Sequence, residues 1–246
     1  MSIVGISVFA ADIGFQKREF VYKGDTLRYQ VLFPENYDRT RSYPLVLFLH
    51  GAGERGSDNE KQLIYGSHLF TDTETMKDYP SIVIFPQCPK EDSWIELVRK
   101  DNRIIDFPKK PKITKSLFLV KKLLDSYKKE ESVDKRRVYV MGISMGGMGT
   151  FDLICRYPRY FAAAIPICGG VNTERLKRVR KLPIRIFHGG ADELVSREFS
   201  RNAHIELKAR GSVKVEYIEF PGVGHDSWTK AFNYPDFLSW MYYQSR

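Results

Sequence analysis

The run Pro44-Leu45-Val46-Leu47-Phe48-Leu49 is apolar at every position. A strand with one face in water alternates apolar and polar residues, so a run without a polar face belongs to a strand covered on both sides. Ser81-Ile82-Val83-Ile84-Phe85 repeats the pattern. Such strands sit in parallel sheets whose crossover helices blanket both faces. The rest of the chain should therefore alternate strands with helices. Ser116 to Tyr127 carries Leu117, Val120, Leu124 and Tyr127 at helical spacing, with lysines on the other side, and leads into the β-favouring run Arg137 to Met141. Ala162 to Ile167, Pro183 to Phe187 and Val213 to Ile218 are further strand-like runs with helix candidates between them. One candidate is marked by Phe199, Ala203 and Leu207 and can be terminated by Gly211. The start differs: Gln16 to Lys23 and Thr26 to Phe33 alternate around Lys23-Gly24-Asp25, which predicts a hairpin. The expected fold is α/β, a mostly parallel central sheet with an antiparallel N-terminal strand pair and helices on both faces.

With 246 residues and no obvious linker, the chain reads as one domain, 1–246. Its 43% hydrophobic and 28% charged residues argue against disorder, and no apolar run approaches membrane-spanning length. Cys88, Cys155 and Cys168 are widely spaced without a C-x-x-C pair, so neither a disulfide framework nor a zinc site is suggested, and all three read as buried packing residues. Clusters such as Lys109-Lys110-Pro111-Lys112 and Arg175 to Lys181 carry much of the net charge of +9. With no nucleic-acid module around them, these read as solvated faces. Ile3 to Ala11 is apolar and ends in small residues. It reads as the lead-in to a first strand, with a cytoplasmic location, or as a truncated export signal of a secreted or periplasmic protein.

Chemistry enters at Gly142-Ile143-Ser144-Met145-Gly146, a G-x-S-x-G pattern preceded by a strand run and followed by a small-residue helix start. That setting is a nucleophile elbow, a tight strand-to-helix turn that exposes a serine. A serine hydroxyl is a weak nucleophile at neutral pH and needs a histidine base, which in turn needs a carboxylate to fix its tautomer. His225, in the glycine-rich loop Pro221-Gly222-Val223-Gly224-His225-Asp226 after the last strand run, is the best placed base. His50 and His188 end strand runs and read as loop organisers; His204 lies on a helix away from strand ends, and His68 is a peripheral alternative. The acid should fall between Ser144 and His225 in chain order. Asp192, in Gly189-Gly190-Ala191-Asp192-Glu193, fits; Glu193 competes, and Asp226 is less suited because adjacent side chains point apart. Two backbone donors are needed for the developing oxyanion. Met145 N–H follows the nucleophile, and Ala52 N–H, in His50-Gly51-Ala52-Gly53-Glu54-Arg55-Gly56, supplies the second.

With these residues in hand the chain resembles the α/β-hydrolase superfamily, within it the small serine esterases related to feruloyl esterases, polyhydroxybutyrate depolymerases and phospholipase/carboxylesterases. The resemblance runs from Arg28-Tyr29-Gln30-Val31 through Leu47 to Gly56, Pro86-Gln87-Cys88-Pro89, the elbow and Pro166-Ile167-Cys168-Gly169-Gly170 to Gly222-Val223-Gly224-His225-Asp226-Ser227-Trp228. It implies a triad of Ser144, Asp192 and His225, an oxyanion hole of Ala52 and Met145, and no metal or organic cofactor. In this group the segment 94–114 covers the site; here it reads as a loop insertion over the active site, is unusually basic and holds Phe107-Pro108-Lys109-Lys110-Pro111.

The leading expectation is an ester hydrolase working through an acyl-enzyme on feruloyl or related esters of plant cell-wall polysaccharide, with acetyl or other short-chain esters as the alternative. Trp94 and Trp228 fall in loops near the expected site, where they either stack on a planar ring or pack the loops onto the core. A serine peptidase of the prolyl-oligopeptidase type shares this catalytic fold, but the chain has no room for a propeller domain. A non-catalytic binding protein on the same fold would commonly lack one of the three residues. Nucleic acid is not an expected partner, and no membrane span is expected.

Overall fold

The structure is a computed structural model describing residues 14–100, 103–129 and 132–246. The segment Ile3 to Ala11 lies outside the described residues. At the start, β1 (Gln16–Tyr22) and β2 (Asp25–Leu32) pair antiparallel with Tyr22 opposite Asp25, so Lys23-Gly24 is the whole loop. Both loop residues have positive φ, 53° and 86°. That is the type I′ backbone whose twist matches two antiparallel strands.

The wholly apolar runs become β3 (Tyr43–Leu49) and β4 (Ile82–Pro86), both buried throughout. The later strands are β5 (Val98–Lys100), β6 (Arg103–Asp106), β7 (Val133–Ile143), β8 (Ala163–Ile167), β9 (Ile184–Gly189) and β10 (Val215–Phe220). Eight of them form one sheet in the order β1-β2-β4-β3-β7-β8-β9-β10. β2 pairs with β1 and β4 antiparallel, and from β4 to β10 the sheet is parallel. β10 begins at Val215 rather than Val213: its register sets Val215 opposite Ile184, where β9 begins, and Val213 stays 86% exposed.

Among the described residues seven α-helices complete the layers: α1 (His68–Thr71), α2 (Thr73–Asp78), α3 (Lys115–Tyr127), α4 (Met145–Arg156), α5 (Glu198–Ala209), α6 (Trp228–Phe232) and α7 (Phe237–Tyr242). The short α1 and α2 carry too little periodicity to be read from sequence; α2 is set by Asp72, whose side chain accepts from Thr75 N–H. Side-chain alternation along β3 separates two apolar layers. Leu45, Leu47 and Leu49 join Leu117, Val120 and Leu124 of α3, Phe151 and Ile154 of α4, and Ala203 and Leu207 of α5. Val46 and Phe48 face the other way, with Phe70 of α1, Ala231 of α6, and Phe237 and Met241 of α7. The expected α/β-hydrolase sheet with helices on both faces is the observed one. All three cysteines are buried and free. Among the described residues no helix is long and apolar enough to cross a membrane.

Two expectations are corrected here. Arg175 is not on a solvated face: only 10% of its side chain is exposed, and its guanidinium lies 2.5 Å from the Asp152 carboxylate on α4. A charge left unpaired there would be costly, so the pairing explains its position. Residues 94–114 are not simply loop, since β5 and β6 form an antiparallel hairpin within them. The segment is fastened at both sides: Phe107 is buried against Phe199 of α5, ring centroids 4.9 Å apart, and the Glu96 carboxylate accepts from Lys112 N–H.

Candidate active site

The turn between β7 and α4 places Ser144 at φ 53°, ψ −115°, a left-handed conformation unusual for a residue with a side chain. It is held by Ser144 N–H donating to Ile167 O on β8 and by Met148 N–H donating to Ser144 O. The flanking glycines are required by close approach. A Cβ on Gly142 would fall 2.5 Å from Gly146 O, and one on Gly146 would fall 1.9 Å from Leu49 O. A Cβ on Gly147 would meet Ile167 O at 2.4 Å. Small residues thus let the start of α4 lie on the carboxyl ends of β3, β7 and β8, where an open α/β sheet places its sites.

The loops after β9 and β10 are laced together beside this turn. Gly190 N–H donates to Phe220 O and Ala191 N–H to Val223 O. Gly189 leaves room for the second loop, since a Cβ there would lie 2.1 Å from Gly224 O. The result brings three of the expected residues into one hydrogen-bonded line. Ser144 Oγ is 2.8 Å from His225 Nε2, and His225 Nδ1 is 2.7 Å from Asp192 Oδ2. Glu193 and Asp226, the competing acids, are exposed.

The Asp192 side chain is wholly buried and accepts four bonds. Leu194 and Val195 N–H donate to Oδ1, each at 2.9 Å. Oδ2 receives His225 at 2.7 Å and His188 Nε2 at 3.1 Å. Burial opposes ionisation, but the bonds from His188, His225 and Val195 outweigh it and hold the carboxyl well below the usual carboxylate range. His188 therefore does more than organise its own loop. Its spacing of four residues from Asp192 across two glycines is the only sequence signal of the contact, and it carries no periodicity to interpret.

Ala52 and Met145 line one cleft of about 440 Å³ together with Ile95, Leu97, Ile113 and Lys112. Met145 is the first residue of α4, so its N–H belongs to the positive end of a helix dipole. Behind Ala52 the loop is built around His50, which is 1% exposed. His50 Nε2 accepts from Cys88 N–H at 2.9 Å, which leaves Nδ1 as the donor to Gly51 O. Burial lowers His50 to about 4, so it is a neutral structural group. Glu54 is also buried, and burial raises its carboxyl despite bonds from its own and the Gly51 amides.

The two tryptophans part company. Trp94 is 0% exposed, with Nε1–H donating to His50 O at 3.0 Å and its ring 5.1 Å from the His50 ring. It is a core residue under the loop and offers no ring to a ligand. The reason is local: a Cβ on Gly149 would lie 2.7 Å from Trp94 Cβ, so the small residues of α4 admit the indole. Trp228 stands edge-on to His225 at 5.6 Å, with Tyr65 a further 5.3 Å away. His68 packs on Phe232 and His204 on Tyr217. Among the described residues no group of three or more His, Cys, Asp or Glu side chains is arranged to hold a metal.

Comparison with known proteins agrees with this architecture. A solved thermostable esterase superimposes with a TM-score of 0.86 at 35% identity, covering 94% of this chain, which spans 63% of that protein's length. A ferulic acid esterase from the anaerobic fungus Anaeromyces mucronatus shares the fold, TM-score 0.66, at 16% identity over 92% of this chain and 89% of that one. Carboxylesterase SOBER1 of Arabidopsis thaliana is 24% identical over 207 residues, 80% of this chain and 88% of its own. The family described as Phospholipase/Carboxylesterase matches residues 37–239, and the chain belongs to that family of α/β-hydrolase fold.

Proposed function

We propose that this protein is a serine carboxylic-ester hydrolase working through an acyl-enzyme. The observation that carries the reading is the continuous line from Ser144 Oγ through the His225 ring to the buried Asp192 carboxylate. Ser144 Oγ attacks the ester carbonyl carbon while its proton passes to His225 Nε2. The oxygen of the tetrahedral adduct takes its charge against the N–H groups of Ala52 and Met145. Collapse expels the alcohol, protonated by His225, and leaves an acyl group on Ser144. Water, deprotonated by His225, repeats the attack and releases the acid. Asp192 holds Nδ1–H of His225 and stabilises the imidazolium.

This sequence of steps also assigns the sides of the site. The leaving alcohol must lie where His225 can protonate it, the side on which Trp228 and Tyr65 stand. The acyl group then extends over Ala52 and Met145 toward the cleft lined by Ile95, Leu97 and Ile113. We take the substrate class to be feruloyl or related aromatic esters of plant cell-wall polysaccharide. The support is the fold shared with a ferulic acid esterase, a cleft on the acyl side where Ile95, Leu97 and Ile113 stand among charged residues such as Arg55, Glu91 and Lys112, and an aromatic pair able to stack on a sugar at the alcohol side. One observation favours a second reading, a general short-chain esterase: Trp94 is sealed in the core, so it cannot stack on an aromatic acid.

The test is kcat/KM for p-nitrophenyl ferulate beside p-nitrophenyl acetate, which share a leaving group. Preference for ferulate supports the aromatic reading; equal or better turnover of acetate replaces it with the short-chain one. Trp228→Ala should raise KM for a feruloylated oligosaccharide and leave p-nitrophenyl acetate little changed. Absence of turnover on every ester, by a folded protein, would remove the reading altogether.

A further inference from the structure

We propose that His188 is a positioning residue of the catalytic relay, a second imidazole that shares Asp192 Oδ2 with His225 and sets how strongly the acid attracts the base. The inference rests on the triad reading above and concerns a residue outside it.

His188 is the last residue but one of β9 and is 0% exposed. Its Nε2 lies 3.1 Å from Asp192 Oδ2 and 3.0 Å from Val195 O. Both neighbours are acceptors, so Nε2 must carry a proton and the tautomer is fixed by geometry. On the other side Nδ1 lies 2.8 Å from Ser200 Oγ, which is itself 3.0 Å from Gly169 O. The Ser200 hydroxyl has one proton to give, to Nδ1 or to Gly169 O. The first arrangement leaves His188 neutral; the second requires Nδ1–H and makes it a cation. In either, the one Nε2–H is shared between Val195 O and the Asp192 oxygen that receives His225, and α5 is tied through Ser200 to the acid loop.

A carboxylate oxygen that accepts two imidazole N–H groups has less negative charge to offer each. His188 thereby tempers the pull of Asp192 on the imidazolium form of His225 while restraining the carboxylate from rotating. Other titratable groups face the cluster from neighbouring elements. Cys168, after β8, has its thiol pushed far up by burial. Asp226 is exposed beside His225, and Glu193 is exposed next to Asp192. On β10, Glu219 is in register with His188 and is paired with Arg201 of α5 at 2.7 Å. Among the described groups, His188 is the one besides His225 that places an imidazole N–H on Asp192 Oδ2.

The experiment compares His188→Phe, which keeps a ring and removes the donor, with His188→Gln, whose amide can place an N–H near the Nε2 position. Expected for Phe is a fall in kcat of about ten- to a hundredfold, the scale of one hydrogen bond to a charged group, with KM little changed. The acid limb of its kcat/KM profile should move to higher pH, because the unshared carboxylate favours protonated His225. Gln should recover most of the rate and return the limb toward the wild-type position. Equal losses in the two variants, or an unmoved limb in Phe, would reduce His188 to a packing residue. Should the variants not fold, nitrogen NMR of the wild-type imidazoles decides. His188 must carry a proton on Nε2 throughout the active pH range, and a bare Nε2 overturns the proposal. An inactive wild type with that His188 tautomer intact would instead count against the esterase reading.

Discussion

The carbonyl oxygen of Leu49 occupies the space that a side chain on Gly146 would need, 1.9 Å from where its Cβ would stand. The last residue of β3 and the second residue of α4 are therefore in backbone contact, and the Ser144 turn is fitted to the sheet through that contact. Gly146→Ala must push α4 off β3 and should destabilise the fold by more than about 3 kcal/mol. Gly53→Ala, in the neighbouring loop with nothing within 4 Å of its Cβ position, should leave stability within about 0.5 kcal/mol. Denaturant unfolding of the two variants side by side checks the pair.

Asp192 and Glu193 are adjacent, yet only Asp192 reaches His225. Asp192→Asn keeps the shape but lets the amide favour the wrong tautomer of His225, a change that costs about 10⁴ in kcat in a serine protease. Glu193→Gln should change kcat less than about twofold, as expected for an exposed side chain outside the network. Steady-state kinetics on one activated ester separates them, and a reversed outcome would move the acid to Glu193.

The pH dependence has a definite sign. The folded Asp192 carboxyl lies below its ordinary range, so its contribution to stability is present above the unfolded value of about 3.9 and is lost only as pH falls through the depressed folded value. Acidification from neutrality down to about pH 4 should therefore leave the Asp192 carboxylate ionised. The slope of log kcat/KM over that interval should accordingly not exceed one. A slope of two setting in near pH 4 would show that Asp192 titrates in the ordinary range, contrary to its four hydrogen bonds.

Much of this site is legible in one dimension, for reasons that differ by residue. Leu45 to Leu49 announce a strand buried on both faces because neither face has a polar position, and the order of Ser144, Asp192 and His225 follows the order of strand ends along the sheet. Trp94 misleads because a tryptophan in a polar loop has the same sequence signature whether it faces ligand or core. Only the small residues of α4, folded over it, decide the matter. Arg175 misleads likewise: five of the seven residues from Arg175 to Lys181 are basic, and what removes Arg175 from water is Asp152 on α4. The His188 contact is hidden because bending Gly189 and Gly190 back on β10 is what carries Asp192 to its imidazole.

The nucleophilicity of Ser144 can be measured without knowing the natural ester. A fluorophosphonate forms a bond from an activated serine Oγ to phosphorus with loss of fluoride, and it needs the base as well as the hydroxyl. Intact-mass measurement followed by peptide mapping should find one adduct per chain, on the peptide containing Ser144. Ser144→Ala should keep the wild-type melting curve, lose the adduct, and lose ester turnover by several orders of magnitude. A folded wild type that takes no label, or a Ser144→Ala variant that still takes one full equivalent, would contradict the assignment of Ser144 as the nucleophile.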